Sequence, residues 1–131
     1  MEVLLDTCTL LWAINDQDKI PENIKEIIND YDNDIFVSTA SLWEIEIKHL
    51  KNSILMPYDS VSVFNAIIES DFKLINVRDE YVMELGNIVK QRIHNDPFDH
   101  LLLAMAKEEK MTLITHDEFI SQYKGIDIIK F

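Results

Sequence analysis

Several acidic side chains follow short apolar runs of the sequence, where a strand is expected to end. Asp6 comes directly after Val3 to Leu5, and Asp117 comes after Thr115 with one residue between them. In parallel α/β sheets, ligands bind beyond the carboxyl ends of the strands. Carboxylates gathered there would suit a hard divalent cation, which prefers oxygen ligands.

A third candidate, Asp99, is placed by the start of a helix. Asp96 has the chemistry of a helix N-cap, Pro97 suits the first helical position, and Asp99 falls where an acid favours the helix dipole. The residues from 101 to 106 are apolar around the whole helical circumference. This pattern predicts a buried helix with an acid in its first turn.

Each of these acids also has a purely structural interpretation. Asp6 and Asp117 could each cap the helix that follows. Asp96 and Asp99 could be no more than a capping pair, and for Asp96 we favour that role. Because the chain has 24 acidic residues, most of them must simply be solvated.

A fourth candidate, Glu44, is not selected by periodicity. The apolar residues between 41 and 51 form a broad arc on a helical wheel, and Glu46 lies nearer its middle than Glu44 does. Pattern alone would therefore choose Glu46.

Short apolar runs alternate with helical segments along the chain. The strands are expected at Val3 to Leu5, Ile35 to Val37, Leu74 to Val77, Thr112 to Thr115 and Ile126 to Ile129. The helices are expected at Thr7 to Ile14, Pro21 to Asp30, Ser41 to Lys51, Ser60 to Ser70, Asp79 to Arg92, Pro97 to Lys110 and Glu118 to Tyr123. This alternation predicts an α/β fold with a mostly parallel sheet covered on both faces.

Composition narrows the class of protein. A chain of 131 residues that is 47% apolar fits one globular domain, residues 1 to 131. The N-terminus lacks the basic start of a signal peptide, and no apolar run approaches the ~18 residues of a membrane span. We therefore expect a soluble, cytoplasmic protein that contacts no membrane, with its single Cys8 buried as a small hydrophobe.

Four short motifs occur in order along the chain. They are Leu4-Leu5-Asp6-Thr7, Ser41-Leu42-Trp43-Glu44-Ile45, Asp96-Pro97-Phe98-Asp99 with Leu101-Leu102-Leu103-Ala104, and Leu113-Ile114-Thr115-His116-Asp117. Over essentially the whole chain the sequence resembles the PIN-domain family and, more narrowly, the VapC-type toxins of toxin-antitoxin pairs. The resemblance implies a three-layer α/β/α sandwich with a mostly parallel central sheet.

The resemblance also implies which residues form the site. The acids expected to bind metal and to be catalytic are Asp6, Glu44, Asp99 and Asp117. The groups expected to assist them are Thr7, Asp96 and Thr115. Since the set contains oxygen donors and neither Cys nor an evident group of His, it favours Mg²⁺ or Mn²⁺ over Zn²⁺.

The activity implied by the resemblance is hydrolysis of RNA phosphodiester bonds by a metal-dependent endoribonuclease. Lys48, Arg92 and His100 are candidate RNA contacts, and His100 stands where relatives frequently carry Arg. The resemblance further implies a homodimer and an antitoxin partner whose Arg enters the acidic cluster. Trp12 and Trp43 are expected in the core rather than stacked on bases.

Two other classes compete with a ribonuclease. A receiver domain also gathers acids around Mg²⁺, but no mid-chain strand ends in an Asp that could be phosphorylated. The second is a catalytically weak interaction module that binds a basic protein partner. It is favoured by the formal net charge of -12, which argues against nucleic-acid binding through a positive surface field.

Overall fold

The computed structural model describes all residues from 1 to 131, and a five-stranded sheet forms its centre. The strands are β1 (Glu2–Leu5), β2 (Asp34–Ser38), β3 (Lys73–Ile75), β4 (Thr112–Thr115) and β5 (Asp127–Lys130). They lie in the order β3-β2-β1-β4-β5, and every neighbouring pair is parallel. All five predicted strands are present, in a sheet that is parallel throughout.

Six α-helices connect and cover the strands. They are α1 (Thr7–Asn15), α2 (Glu22–Asn29), α3 (Thr39–Lys51), α4 (Ser60–Glu69), α5 (Asp79–Val89) and α6 (Pro97–Glu109). Two single 3-10 turns, Gln17–Lys19 and Ile120–Gln122, complete the regular structure. None of the helices is long and apolar enough to cross a membrane.

The central strand β1 shows how the layers are held together. Val3 and Leu5 pack into one core with α1, α2, α3 and α4, whereas Leu4 packs into a second core with α5 and α6. All three side chains are completely buried. Because successive residues of a strand point to opposite faces, a sheet covered on both sides needs such a continuous apolar strand. The predicted α/β/α sandwich is confirmed.

Two predicted helices are shorter than expected. The helix predicted from 118 to 123 is only the 3-10 turn Ile120–Gln122, and the helix predicted to reach Arg92 ends at Val89. Arg92 has a left-handed backbone with a φ of 56°, and its N–H donates to the carbonyl of Val89 at 3.0 Å. A helix cannot continue through this conformation, so the chain turns toward the start of α6.

Two side chains that were expected to be buried are exposed. Cys8 lies on the first turn of α1, off the face that carries Leu10 and Ala13 into the core. Trp43 is 58% exposed and points away from the sheet, where its ring meets Phe98 edge-on at 5.0 Å. The expectation for Cys8 and Trp43 was therefore wrong, because a hydrophobic residue type does not fix which helix face packs on the sheet. Trp12 is half-buried against the core, as expected.

Candidate active site

A pocket of about 270 Å³ opens beyond the carboxyl ends of β1 and β4. From β1 the chain continues to β2 on one side, and from β4 it continues to β5 on the other side. The connections that leave the carboxyl ends of these two neighbouring strands therefore diverge. This is the point of an open parallel sheet at which ligands bind. The pocket is lined by Asp6, Thr7, Cys8, Glu44, Lys48, Asp96, Asp99, His116, Asp117 and Ile120.

Asp6 is both a helix cap and a pocket residue. Its Oδ1 accepts from the N–H of Thr9 at 2.8 Å, which caps α1, and its Oδ2 accepts from Thr115 Oγ1 at 2.5 Å. The side chain is only 4% exposed. Burial raises the pKa of Asp6, against the opposing effect of the hydrogen bonds from Thr115 and Thr9. The structural and functional interpretations of this acid are therefore compatible.

Glu44, rather than Glu46, is the acid of α3 that lines the pocket. Glu44 is 5% exposed, and its Oε1 accepts from Thr7 Oγ1 at 2.7 Å. Glu46 instead accepts from the N–H and the hydroxyl of Ser60, at 3.0 and 2.6 Å, where α4 begins. Periodicity chose the wrong residue because it places a side chain on a helix face and cannot tell which neighbouring element that face meets.

Lys48 lies one helical turn after Glu44 and provides the pocket with its only Lys or Arg side chain. Its Nζ lies 2.5 Å from Glu44 Oε2. Partial burial lowers the pKa of Lys48, but the hydrogen bond and charge of Glu44, with the charges of Asp96 and Asp99, outweigh burial and leave that pKa raised. Lys48 thus compensates part of the negative charge of the pocket.

The start of α6 places two further acids at the pocket. Asp96 caps the helix, since its Oδ1 accepts from the N–H groups of Phe98 at 2.9 Å and Asp99 at 3.2 Å. Asp99 Oδ2 is hydrogen-bonded to His94 Nε2 at 2.9 Å. Burial raises the pKa of Asp99 to about 7, and the charges of Asp96 and Glu44 add to this effect while the bond from His94 opposes it.

Thr115 connects Asp6 to the fourth predicted acid, Asp117. The Thr115 hydroxyl donates to Asp6 and accepts from the N–H of Asp117 at 2.9 Å. Asp117 Oδ1 accepts from the N–H groups of Phe119 and Ile120, at 2.7 and 2.9 Å. This carboxylate also has a capping role, and its other oxygen makes no hydrogen bond within the protein.

His94 is a component of the site whose role sequence reasoning missed. Its ring joins Asp99 to the hydroxyl of Tyr123, which is 2.9 Å from Nδ1. The ring also stacks on Phe119 with an interplanar angle of 15°. Tyr123 lies 29 residues away in the sequence, so no local signal could have revealed this contact.

His100 does not face the pocket. It is 7% exposed, and its Nε2 is hydrogen-bonded to the carbonyl oxygen of His94 at 2.8 Å. The expectation that His100 contacts RNA is therefore corrected, because a buried ring that supports a neighbouring segment cannot reach a substrate. Arg92 is exposed, as a phosphate contact would have to be.

The donor atoms of the pocket suit a hard divalent cation. Five carboxylates line it, and crowded carboxylates raise one another's pKa unless a cation neutralises them. One oxygen of each of Asp96, Asp99 and Asp117 makes no hydrogen bond within the protein. The side chains of His94, Asp99 and Asp117 each offer a ligand atom, and these atoms lie within 4.8 Å of one another. The residues present therefore fit a bound divalent cation.

Comparison with known proteins identifies the family of this chain and agrees with its fold. Residues 3–126 match the family model described as PIN domain. No curated protein matches the sequence.

Solved structures share the fold over almost their full length. VapBC2 from Rickettsia felis, solved with a promoter DNA fragment, is 20% identical, with a TM-score of 0.72 over 99% of this chain and 98% of that one. DNA-bound VapBC from Salmonella typhimurium is also 20% identical, with a TM-score of 0.73 and the same coverage. FitAcB from Neisseria gonorrhoeae is 14% identical, with a TM-score of 0.64 over 98% of this chain and 96% of that one. Because the family model spans nearly the whole sequence, this chain belongs to the PIN domain family.

Proposed function

We propose that this PIN domain is a metal-dependent endoribonuclease and the toxin of a toxin-antitoxin pair. The observation that carries the proposal is the gathering of five carboxylates around one pocket at the carboxyl ends of β1 and β4. Asp6 and Glu44 are buried there with their oxygens held by hydroxyl groups. Burying charged groups is costly unless they are paired or coordinate a metal, so a cluster of this kind favours a bound cation.

The residues divide into metal ligands and groups that orient them. Mg²⁺ or Mn²⁺ would be held by Asp6, Glu44, Asp99 and Asp117. When bound, the cation would supply an activated water for in-line attack on phosphorus and would stabilise the leaving 3′ oxygen, so that the products would carry a 5′-phosphate and a 3′-hydroxyl. Thr7 and Thr115 fix the orientation of Glu44 and Asp6, and Asp96 caps the helix that carries Asp99.

RNA would approach along the rim next to His94, where unpaired cations are concentrated. Five of the twelve Lys and Arg residues form no ion pair, namely Lys51, Lys90, Arg92, Lys110 and Lys124. Lys90 and Arg92 line a groove with His94, and the Gln91 side chain binds the backbone of Lys124 at 2.9 and 3.0 Å. This local basic rim offsets the repulsion that a net charge of -12 exerts on phosphates. Lys48 would contact the phosphate nearest the metal.

Cleavage of RNA by the pure protein tests the enzymatic part of this proposal. We expect cleavage with Mg²⁺ or Mn²⁺, none with chelator, and none by Asp6→Asn with either ion. Asp34→Asn is the matched control, since Asp34 is an exposed acid at the opposite end of the sheet and should leave the rate unchanged. Equal activity with chelator, or in Asp6→Asn, would overturn the assignment of the site.

The toxin role is proposed from the structural neighbours and from the surface. Several of the neighbours are toxin-antitoxin complexes, including one from Klebsiella pneumoniae. Here α3 and α4 expose large apolar side chains, as expected where a protein partner packs. They are Trp43, Ile47, Leu50, Val61, Phe64 and Ile68. We propose a homodimer and a cognate antitoxin whose Arg forms charge-assisted hydrogen bonds with the pocket carboxylates.

Growth of a host that expresses the chain alone tests the toxin role. We expect wild type to slow growth and Asp6→Asn to restore it at equal soluble abundance. Normal growth with abundant folded wild type would contradict the toxin role. If that protein also failed to cleave RNA, the proposed ribonuclease function would be wrong. The chain would then be better explained as a non-catalytic module that binds a basic partner, the alternative that the net charge favours.

A further inference from the structure

The three side chains whose ligand atoms lie nearest to one another include a histidine, which was not among the four predicted metal ligands. Ligand atoms of His94, Asp99 and Asp117 lie within 4.8 Å of one another, and no other trio of His, Cys, Asp or Glu is this close. This set shares Asp99 and Asp117 with the proposed Mg²⁺ ligands. In place of the carboxylates of Asp6 and Glu44 it has an imidazole nitrogen. A nitrogen donor matters because imidazole suits transition metals such as Zn²⁺, whereas Mg²⁺ is bound by oxygen.

We propose that His94, Asp99 and Asp117 form a Zn²⁺ site on one wall of the pocket, and that its occupation inhibits the enzyme by taking two of the carboxylates needed for Mg²⁺. The binding of Zn²⁺ stands on these three residues alone. The inhibition rests on the proposed ribonuclease function.

The His94 ring is already positioned for such a role. Its Nε2 lies 2.9 Å from Asp99 Oδ2, and two ligands that are each about 2.0–2.2 Å from one tetrahedral ion lie roughly 3.4 Å apart. His94 and Asp99 would therefore have to separate by only about 0.5 Å to admit Zn²⁺, and Asp117 would have to move inward to complete the set. The His94 and Asp99 side chains are only 12% and 15% exposed, so little ordering is left for Zn²⁺ binding to impose.

The surroundings of His94 supply what a ligating imidazole needs. A histidine that binds metal through Nε2 carries its proton on Nδ1 and donates it to an outer partner. Tyr123 Oη is 2.9 Å from Nδ1 and can accept this bond. The stacked ring of Phe119 and the bond from His100 to the His94 carbonyl hold the segment in place. The ring thus has a hydrogen-bond partner at Nδ1 and a stacking partner on one face.

Calorimetric titration of tag-free protein with Zn²⁺ alone tests the site. We expect one saturable site in wild type and roughly tenfold or more weaker binding in His94→Gln, which keeps an N–H donor for Asp99 but loses the imidazole. Tyr123→Phe should weaken binding by about tenfold, the usual effect of losing an outer partner. In nitrogen NMR spectra of the four imidazoles, Zn²⁺ should shift the His94 Nε2 signal most.

Two other soft donors line the pocket and provide the controls. Cys8→Ser and His116→Gln should bind Zn²⁺ as wild type does, and so should Asp6→Asn, which lies outside the trio. Unchanged binding in His94→Gln, or equal loss in Cys8→Ser or His116→Gln, would overturn the proposed site. Absence of saturable binding to wild type would do the same.

The inhibitory consequence is measured separately from binding. Micromolar Zn²⁺ should slow the RNA cleavage supported by millimolar Mg²⁺, and His94→Gln should need roughly tenfold or more Zn²⁺ for the same inhibition of its own rate. Zn²⁺ bound by the trio without any effect on cleavage would overturn the inhibition alone. If wild type cleaved no RNA with Mg²⁺, the proposed function would fail while the titration still decided whether the Zn²⁺ site exists.

Discussion

The two ends of the parallel sheet both carry acidic side chains, but only the carboxyl end buries them. At the amino end a cavity of about 640 Å³ is larger than the acidic pocket of about 270 Å³. Its acids are all exposed, namely Asp30, Asp34, Glu69 and Asp71. At the carboxyl end, Asp6 and Glu44 are almost completely buried and their oxygens accept hydrogen bonds. Neither the size of a cavity nor the presence of acids in it distinguishes the candidate site. The distinguishing feature is that its carboxylates are buried and accept hydrogen bonds from the protein.

Helix direction explains why the two ends differ. The helices α1 and α3 begin directly after β1 and β2, so their free N–H groups and positive dipole ends lie at the carboxyl edge. Asp6 and Asp96 each use one oxygen to cap a helix there. The opposite edge receives helix carboxyl ends, which disfavour buried anions. The polarity of a parallel sheet therefore selects the end that can collect carboxylates.

The largest expected effect is on catalysis. Asp99→Asn should lower the RNA cleavage rate by at least about a hundredfold, because losing one of the proposed metal ligands would remove several kcal/mol of stabilisation of the transition state. Asp71→Asn, at the amino-end cavity, should leave the rate unchanged. The measurement is cleavage under saturating Mg²⁺, with circular dichroism to show that both variants fold. Similar losses in the two variants would remove the functional distinction between the ends.

A second effect is on stability without metal. Asp6→Asn removes one charge from a crowded pocket at nearly constant volume and keeps a residue that caps helices, so the metal-free protein should gain ~1 kcal/mol. That corresponds to about 3–5 °C in Tm for a chain of this size. Mg²⁺ should raise the Tm of wild type more than that of Asp6→Asn, since only the intact site binds the ion fully.

Thermal melts of both proteins, with chelator and with millimolar Mg²⁺, measure the two differences. Equal stabilisation of both by Mg²⁺ would show that Asp6 is not a ligand. If metal-free Asp6→Asn had a lower Tm than metal-free wild type, helix capping would be the main role of Asp6.

The two ends should also respond to pH in opposite directions. The pKa of Asp99 is raised from 3.8 to about 7, mainly by burial, so the native state holds a proton that the unfolded state has lost between these values. The stability from Asp99 is thus complete below pH 3.8 and is lost as pH rises to about 7. The hydrogen bond and charge of Lys73 lower the pKa of Asp34, whose contribution is present above 3.8 and is lost as pH falls through the lowered pKa.

Variants measured with chelator isolate these contributions. The Tm of Asp99→Asn relative to wild type should rise by several degrees between pH 4 and pH 7, whereas the small deficit of Asp34→Asn should disappear below the pKa of Asp34. A Tm difference for Asp99→Asn that does not change across this range would contradict the burial of an ionisable Asp99.

The smallest effect separates a cap from a ligand within the pocket. Asp96→Asn should retain much of the cleavage activity, because Asn caps helices about as well as Asp. Asp96→Ala should cost ~1 kcal/mol of stability. Asp59→Asn, which replaces the cap of α4 away from the pocket, serves as the control. A loss in Asp96→Asn comparable to that in Asp99→Asn would make Asp96 a metal ligand.

The sequence by itself determined the strands, the buried helix α6 and the layer order. These features depend on local periodicity, on capping chemistry and on the rule that parallel strands need covering helices. The same local reasoning placed Asp6 and Asp117 just after β1 and β4. It could do so because the carboxyl end of a strand can be read from a few adjacent residues.

Only the tertiary structure decided which side chains meet. Thr115 holds Asp6 across 109 residues of sequence, and His94 bridges Asp99 and Tyr123. Periodicity preferred Glu46 over Glu44, and no local pattern showed that His100 would bind the carbonyl oxygen of His94. Contacts of this kind depend on the angle and depth at which whole helices pack on the sheet. That geometry results from the sum of many weak packing interactions distributed over the chain, which no short segment encodes.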